Sequence, residues 1–416
     1  MSKLNTPLEL PCGLAFPNRL VKSAMAEGLS NSKTWDPSDK MFVAYDQWGS
    51  GGWGGIITGN VEISTAFKGS NAMVTPNKNA SDSSKDMWKQ WATSSQQHST
   101  PTIVQLVHPG RQMPPGAGDR PAFSKSIAPS PVPLVVGTGL LNRVVSKLIF
   151  GSPREMAQKD IDIVVQEFAF AAQTAFEAGF KGVELHGAHG YLINQFLSPK
   201  TNLRMDAYGG SAAKRTKFLI DIIRAIRAVV PSTFAVGIKF NSADERSPDS
   251  LEDSLEQLEL VLKERVDFLD ISGGDFENAR MINGDTPAVT RTEQREAFFL
   301  DYSRAVRARF PTIILMVTGG FRTRKGMQAA VESNACDLIG IARPAVVFPH
   351  LPKDIILNEK VKDEDAVVKL AHVKPPGLLK KMPIAIVHAG AETMYYSLQI
   401  QGRIGLGKQA VAPPNA

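Results

Sequence analysis

Gly182-Val183-Glu184-Leu185-His186-Gly187-Ala188-His189-Gly190-Tyr191 decides how the rest of the chain is read. A short run with strand character stops at an imidazole, and a glycine-punctuated turn follows that carries a second imidazole and a phenol. Seven further runs rich in β-branched residues resemble it: Leu20–Met25, Gly55–Ile63, Thr102–His108, Phe234–Phe240, Phe268–Ser272, Ile313–Thr318 and Leu338–Ala342. Several are continuously apolar, as suits parallel strands buried on both faces. Amphipathic segments alternate with them: Asp160–Ala178, Ala213–Val230, Leu251–Arg265, Glu293–Phe310 and Arg324–Ser333. Strand–helix alternation of this kind leaves a closed barrel or a doubly wound sheet.

The run ends choose between the two. They carry Met25-Ala26-Glu27, Gly59-Asn60, His108, His186, Asn241, Ser272-Gly273-Gly274, Gly319-Gly320 and Arg343. A barrel gathers all eight strand C-termini around one mouth, where its chemistry sits. A doubly wound sheet concentrates such residues at one switch point, and no Gly-x-Gly-x-x-Gly follows the first run. The expectation is an α/β fold, a (β/α)8 TIM barrel over residues 1–350. Residues 112–155, rich in Pro, Gly and Ser, are too long for an ordinary loop and read as an insertion or lid after strand 3. Residues 351–416 form a C-terminal extension expected to pack on the barrel or on a partner subunit, which leaves a homo-oligomer open.

Composition narrows the class. The 416 residues fit one barrel with insertions, and the net charge of +6 is scattered rather than gathered in a basic stripe. Nucleic acid is therefore not an expected partner. Cys12 and Cys336 are too few for a disulfide scaffold or an iron–sulfur site. Met1 to Gly13 lacks the pattern of a signal peptide, and the longest apolar stretch, around Val132–Leu141, is too broken by Gly and Pro to span a bilayer. A cytoplasmic protein without membrane partners is expected.

Three groups of residues carry chemistry. His186 and His189, three apart at the mouth, can hold a carbonyl, nitro or carboxylate oxygen and draw electron density from it. Tyr191, protonated at neutral pH, suits an acid that waits for a strong base. The same two imidazoles could instead ligate a metal, as in a metal-dependent barrel lyase or hydrolase, although no further ligands gather on other strand ends. Gly319 and Gly320 after strand 7, with Ala342 and Arg343 after strand 8, have the composition of a barrel phosphate cradle. Gln105 and Lys239 stand inside apolar strands, where each needs a partner. An internal ion pair would serve Lys239; a planar, partly anionic ring such as a reduced flavin would serve both.

Taken together, these residues resemble the old yellow enzyme family from about Leu8 to Pro349. The most specific piece is His186-Gly187-Ala188-His189-Gly190-Tyr191-Leu192-Ile193-Asn194-Gln195-Phe196-Leu197-Ser198-Pro199, followed by Asn202-Leu203-Arg204 and Tyr208-Gly209-Gly210-Ser211. Asn18-Arg19 and Gln105-Leu106-Val107-His108-Pro109-Gly110-Arg111 support it in order. The resemblance implies a non-covalent FMN and an NAD(P)H reductant, with NADPH favoured. It implies reduction of activated C=C bonds in α,β-unsaturated carbonyls and nitroalkenes by hydride from flavin N5. It sets Ala24, Met25 and Ala26 beside the ring, Asn60 near its polar edge, Gln105 at the pyrimidine, Lys239 at N1–C2=O, and Gly319, Gly320, Ala342 and Arg343 at the phosphate. It makes His186 and His189 the substrate clamp and Tyr191 the proton donor. Three positions depart from the family pattern: Ala26 where Cys or Thr is frequent, Lys239 where Arg is frequent, and Ala24 in place of Pro. The four cysteines of the family's iron–sulfur branch are missing from this sequence.

Overall fold

The computed structural model describes residues 2–121, 124–243, 248–274, 288–373 and 385–414. Eight parallel strands close into a barrel: β1 (Leu20–Lys22), β2 (Gly55–Glu62), β3 (Thr102–Val107), β4 (Gly182–Gly187), β5 (Ala235–Asn241), β6 (Phe268–Ser272), β7 (Leu315–Thr318) and β8 (Leu338–Ile341). Neighbours in sequence are neighbours in space, and β8 pairs with β1 to close the cylinder. All eight expected runs are strands, and the barrel fold is the one expected. β1 stops earlier than its apolar run, so Ser23–Gly28 leaves the barrel as a loop.

Ten helices are used below or bound the barrel: α1 (Asp39–Gly49), α2 (Asp82–Gln96), α3 (Gly139–Phe150), α4 (Gln158–Ala178), α5 (Leu192–Leu197), α6 (Ala212–Val229), α7 (Pro248–Leu262), α8 (Ala288–Arg309), α9 (Arg324–Glu332) and α10 (Arg343–Val347). Helix α4 shows why they form. Its buried face is Ile161, Val164, Val165, Phe168, Ala171, Ala172 and Ala175, a repeat of three and four, and Gly179 ends it with φ +100°. Helix α6 starts at Ser211, whose side chain accepts from the Lys214 backbone N–H, and buries Phe218, Leu219, Ile222, Ile223 and Ile226.

The N-terminal ends of the strands are sealed. A hairpin of Leu8–Glu9 with Ala15–Phe16 sets Leu10 and Phe16 against Val21, Ile57, Ile103, Ala235, Phe268, Met316 and Leu338. Gly237 leaves room for the Phe268 ring, which a Cβ there would overlap. This apolar plug leaves the opposite end for polar groups.

The insertion after β3 is more ordered than its composition suggested, although residues 122–123 lie outside the described part. Ile127–Ala128 pairs in parallel with Arg154–Glu155, and helix α3 lies between them. The C-terminal extension ends in helix α11 (Ala385–Gly402), which lies on the mouth of the same chain's barrel. Ser397 Oγ donates to Ala26 O, and Gln401 Nε2 donates to Glu27 O at 3.1 Å.

Candidate active site at the barrel mouth

The turn after β4 sets the geometry. His186 ends the strand, His189 follows in the left-handed region with φ +58°, and Tyr191 precedes the first turn of α5. Left-handed backbone is costly for a residue with a Cβ. Polar contacts hold it: the His189 N–H donates to Asn241 Oδ1 at 3.1 Å, and Gln112 Nε2 donates to His189 O at 2.9 Å. Asn194 accepts from Gly190 N–H at 2.9 Å, and Gln195 donates to Gly190 O at 2.7 Å. Asn194 and Gln195 of the long signature thus hold the turn.

The three rings gather as the spacing implied. The His186 and His189 ring centres are 5.0 Å apart, and those of His186 and Tyr191 4.6 Å. Ala188 N–H faces His186 Nδ1 at 3.4 Å, which assigns that nitrogen as acceptor and the proton to Nε2. His186 Nε2 then faces His189 Nδ1 at 3.3 Å, and His189 Nε2 lies 3.1 Å from Ser272 Oγ. Burial holds the His186 pKa well below the usual imidazole range, and the His189 and Lys239 charges push the same way, so the ring is neutral. Burial pushes the Tyr191 phenol up to about 12; the Glu62 charge adds to this and a hydrogen bond with the Asn60 side chain opposes it. Asn60 lies at a register shift between β2 and β3, a bulge of the kind that re-aims a side chain.

Beneath the rings a polar belt crosses five strands. Gln105 Nε2 donates to Glu184 Oε2 at 2.6 Å, Lys239 Nζ donates to Asp270, and Thr318 Oγ1 donates to Asp270 Oδ1 at 2.7 Å. Ser23 Oγ lies 3.0 Å from Thr318 Oγ1. Lys239 therefore has the internal ion pair that was one of its two readings, and it lines the cavity as well. Burial pushes the Glu184 acid up against the opposing Lys239 charge, and burial lowers the Lys239 pKa. Glu184 and Asp270 were not singled out in the sequence. Each is an acid in an apolar run, the same signal that exposed Gln105 and Lys239. Ser272 and Thr318 also belong here, and only their place at run ends hinted at it.

All thirteen residues chosen from the sequence line one cavity of ≈ 350 Å³: Ala24, Met25, Ala26, Asn60, Gln105, His186, His189, Tyr191, Lys239, Gly319, Gly320, Ala342 and Arg343. The loop carrying Ala24–Ala26 is anchored from behind, where Glu27 accepts from Lys22 Nζ at 2.7 Å and from Tyr45 OH at 2.7 Å. Gly319 and Gly320 line the cavity with φ +138° and +85°, a backbone that favours glycine. From α11 come Glu392, Thr393, Tyr396 and Ser397, none of which the sequence placed in the site. Arg343 Nη1 donates to Glu392 there rather than standing alone.

The donor set fits a flavin mononucleotide. Gln105, which lines the cavity, has its Oε1 buried without a hydrogen-bond partner among the described residues, and a ring with an N–H edge would supply one. Paired glycines and an arginine stand at the other end of the cavity, where a phosphate tail would reach.

A family model described as the NADH:flavin oxidoreductase / NADH oxidase family matches residues 3–362. The chain is 46% identical over 381 residues to the NADH-dependent flavin oxidoreductase iliE of Hypocrea jecorina (strain QM6a), covering 91% of this chain and 95% of that one. It is 29% identical over 270 residues to the NADPH dehydrogenase of Clostridium acetobutylicum, covering 63% and 71%. An old yellow enzyme homologue from Zymomonas mobilis shares the fold with TM-score 0.69 at 21% identity, covering 88% of this chain and 97% of that one. The chain belongs to the NADH:flavin oxidoreductase / NADH oxidase family, the old yellow enzyme family of the sequence resemblance. It is an FMN-type NAD(P)H-dependent oxidoreductase acting on small molecules. No helix among the described residues is long and apolar enough to cross a membrane.

Proposed function

We propose that the enzyme reduces the C=C bond of small electron-poor alkenes, α,β-unsaturated carbonyls and nitroalkenes, at the barrel mouth. The observation that carries this reading is the ring cluster of His186, His189 and Tyr191 on one turn, facing the same cavity as Gln105, Lys239 and Arg343. Gln105, Lys239, the Gly319–Gly320 turn and Arg343 would hold FMN, which would supply hydride transfer between NAD(P)H and the alkene. His186 and His189 clamp the activating oxygen and stabilise the negative charge that develops on it. His186 does so while neutral, since burial keeps it from charging, and its Nε2 proton turns from His189 Nδ1 to the substrate oxygen. Tyr191 keeps its proton because its phenol stands near 12, and gives it to the carbon next to the activating group. Asn60 orients that phenol.

A metal-dependent lyase or hydrolase would use the same imidazoles and need further ligands. Among the described residues no three His, Cys, Asp or Glu side chains gather into a metal-ligating group. Ser272 instead stands beside His189. The relatives carry both NADH and NADPH in their names, so the preference for NADPH is a proposal that paired titrations with the two nucleotides would decide.

Anaerobic stopped-flow separates the two half-reactions. In Tyr191→Phe, reoxidation by an enone should slow by roughly 10²- to 10⁴-fold, the range for a lost general acid, while flavin reduction by NAD(P)H changes little. Equal loss in both half-reactions would overturn the role of Tyr191.

A further inference from the structure

Helix α11 brings a carboxylate to the very arginine that the phosphate reading needs. Arg343 Nη1 donates to Glu392 Oε2, and Glu392 Oε1 lies 2.7 Å from His372 Nδ1. The contact is largely buried, with 26% of the Arg343 side chain and 20% of the Glu392 side chain exposed. Burial pushes the Glu392 acid up, but the Arg343 charge and the His372 hydrogen bond outweigh it, and its pKa falls below the ordinary range. It is therefore a carboxylate at neutral pH. Glu392 also lines the cavity alongside Gly319 and Gly320.

A phosphate monoester tail carries close to two negative charges at pH 7. It cannot take Arg343 while Glu392 keeps its contact without crowding close to three negative charges against that guanidinium, with Arg322 as the further cation lining the cavity. In a partly buried site that repulsion is stronger than at a free surface. The same helix is tied to the loop after β1 through Ser397 and Gln401. Helix α11 thus bridges the phosphate end of the cavity to the edge where the ring would lie.

We propose that Glu392 is the resident counter-anion of Arg343 and that the FMN phosphate displaces it. Glu392 then sets how tightly the nucleotide is held and couples its arrival to the seat of α11. This rests on the assignment of Arg343 to the phosphate.

The test titrates flavin-stripped full-length protein with FMN and with riboflavin, which lacks the phosphate, following flavin fluorescence. Glu392→Gln should bind FMN about tenfold more tightly, ~1.4 kcal/mol, with riboflavin affinity unchanged. Unchanged or weaker FMN binding with riboflavin unaffected overturns the counter-anion role. Glu392→Ala should behave as Glu392→Gln does; loss of both flavins in the two variants makes Glu392 a structural residue and also overturns it. Arg343→Gln separates the underlying assignment: if it leaves the preference for FMN over riboflavin intact, the phosphate does not sit on Arg343.

Discussion

His189, at φ +58°, has its backbone N–H held by Asn241 and its carbonyl by Gln112, so the turn pre-sets the imidazole before any substrate arrives. At this scale the sequence revealed single polar residues in apolar company: His186, Gln105, Lys239. It did not reveal their partners. Glu184 lies opposite Gln105 in the β3–β4 register, and Asp270 lies opposite Lys239 in the β5–β6 register. Register is a property of the closed barrel and no local signal encodes it. The titration directions give a pH prediction. Tyr191 must be protonated, a condition met below about 12, and His186 must be neutral, a condition met above a pKa well under the usual imidazole range. Neither group should therefore titrate in alkene-driven reoxidation, measured as a single-turnover rate, between about pH 6 and about pH 9. A titration in that window that persists in His189→Asn would contradict a neutral His186.

Strands were legible as elements because burial on both faces turns them into continuous apolar runs. Helices α3 and α11 were not. In α3 the apolar residues Leu140 and Leu148 are 79% and 75% exposed, so its stripe does not mark the barrel core, and flanking glycines made the segment look like loop. Helix α11 follows a long stretch with no strand–helix alternation, so nothing in its sequence announced a wall of the cavity. What carries the chain toward it is Arg324, at the start of α9. Its guanidinium donates to the carbonyls of Ile355, Ile356, Asn358 and Val361 and to Asp363. A lysine cannot reproduce that fork. Arg324→Lys should lower the unfolding free energy by about 2 kcal/mol, measured by chemical denaturation. Unchanged stability would mean that the segment is held by other contacts.

At the scale of the molecule, a barrel plugged by Leu10 and Phe16 at one end gathers its polar groups at the other, where the described residues line the cavity. That much was readable, because alternation and run ends are both linear features of the chain. The closing of the mouth by α11 was not, since it depends on contacts between residues more than three hundred positions apart, such as Ser397 with Ala26. The most direct measurement is an anaerobic visible spectrum of the purified holoprotein through one cycle. The expected result is a flavin band near ~450 nm that NADH or NADPH bleaches and a stoichiometric enone restores. A colourless protein, or a band that the nucleotide bleaches and no electron-poor alkene restores, would contradict a single cavity that serves both flavin and alkene.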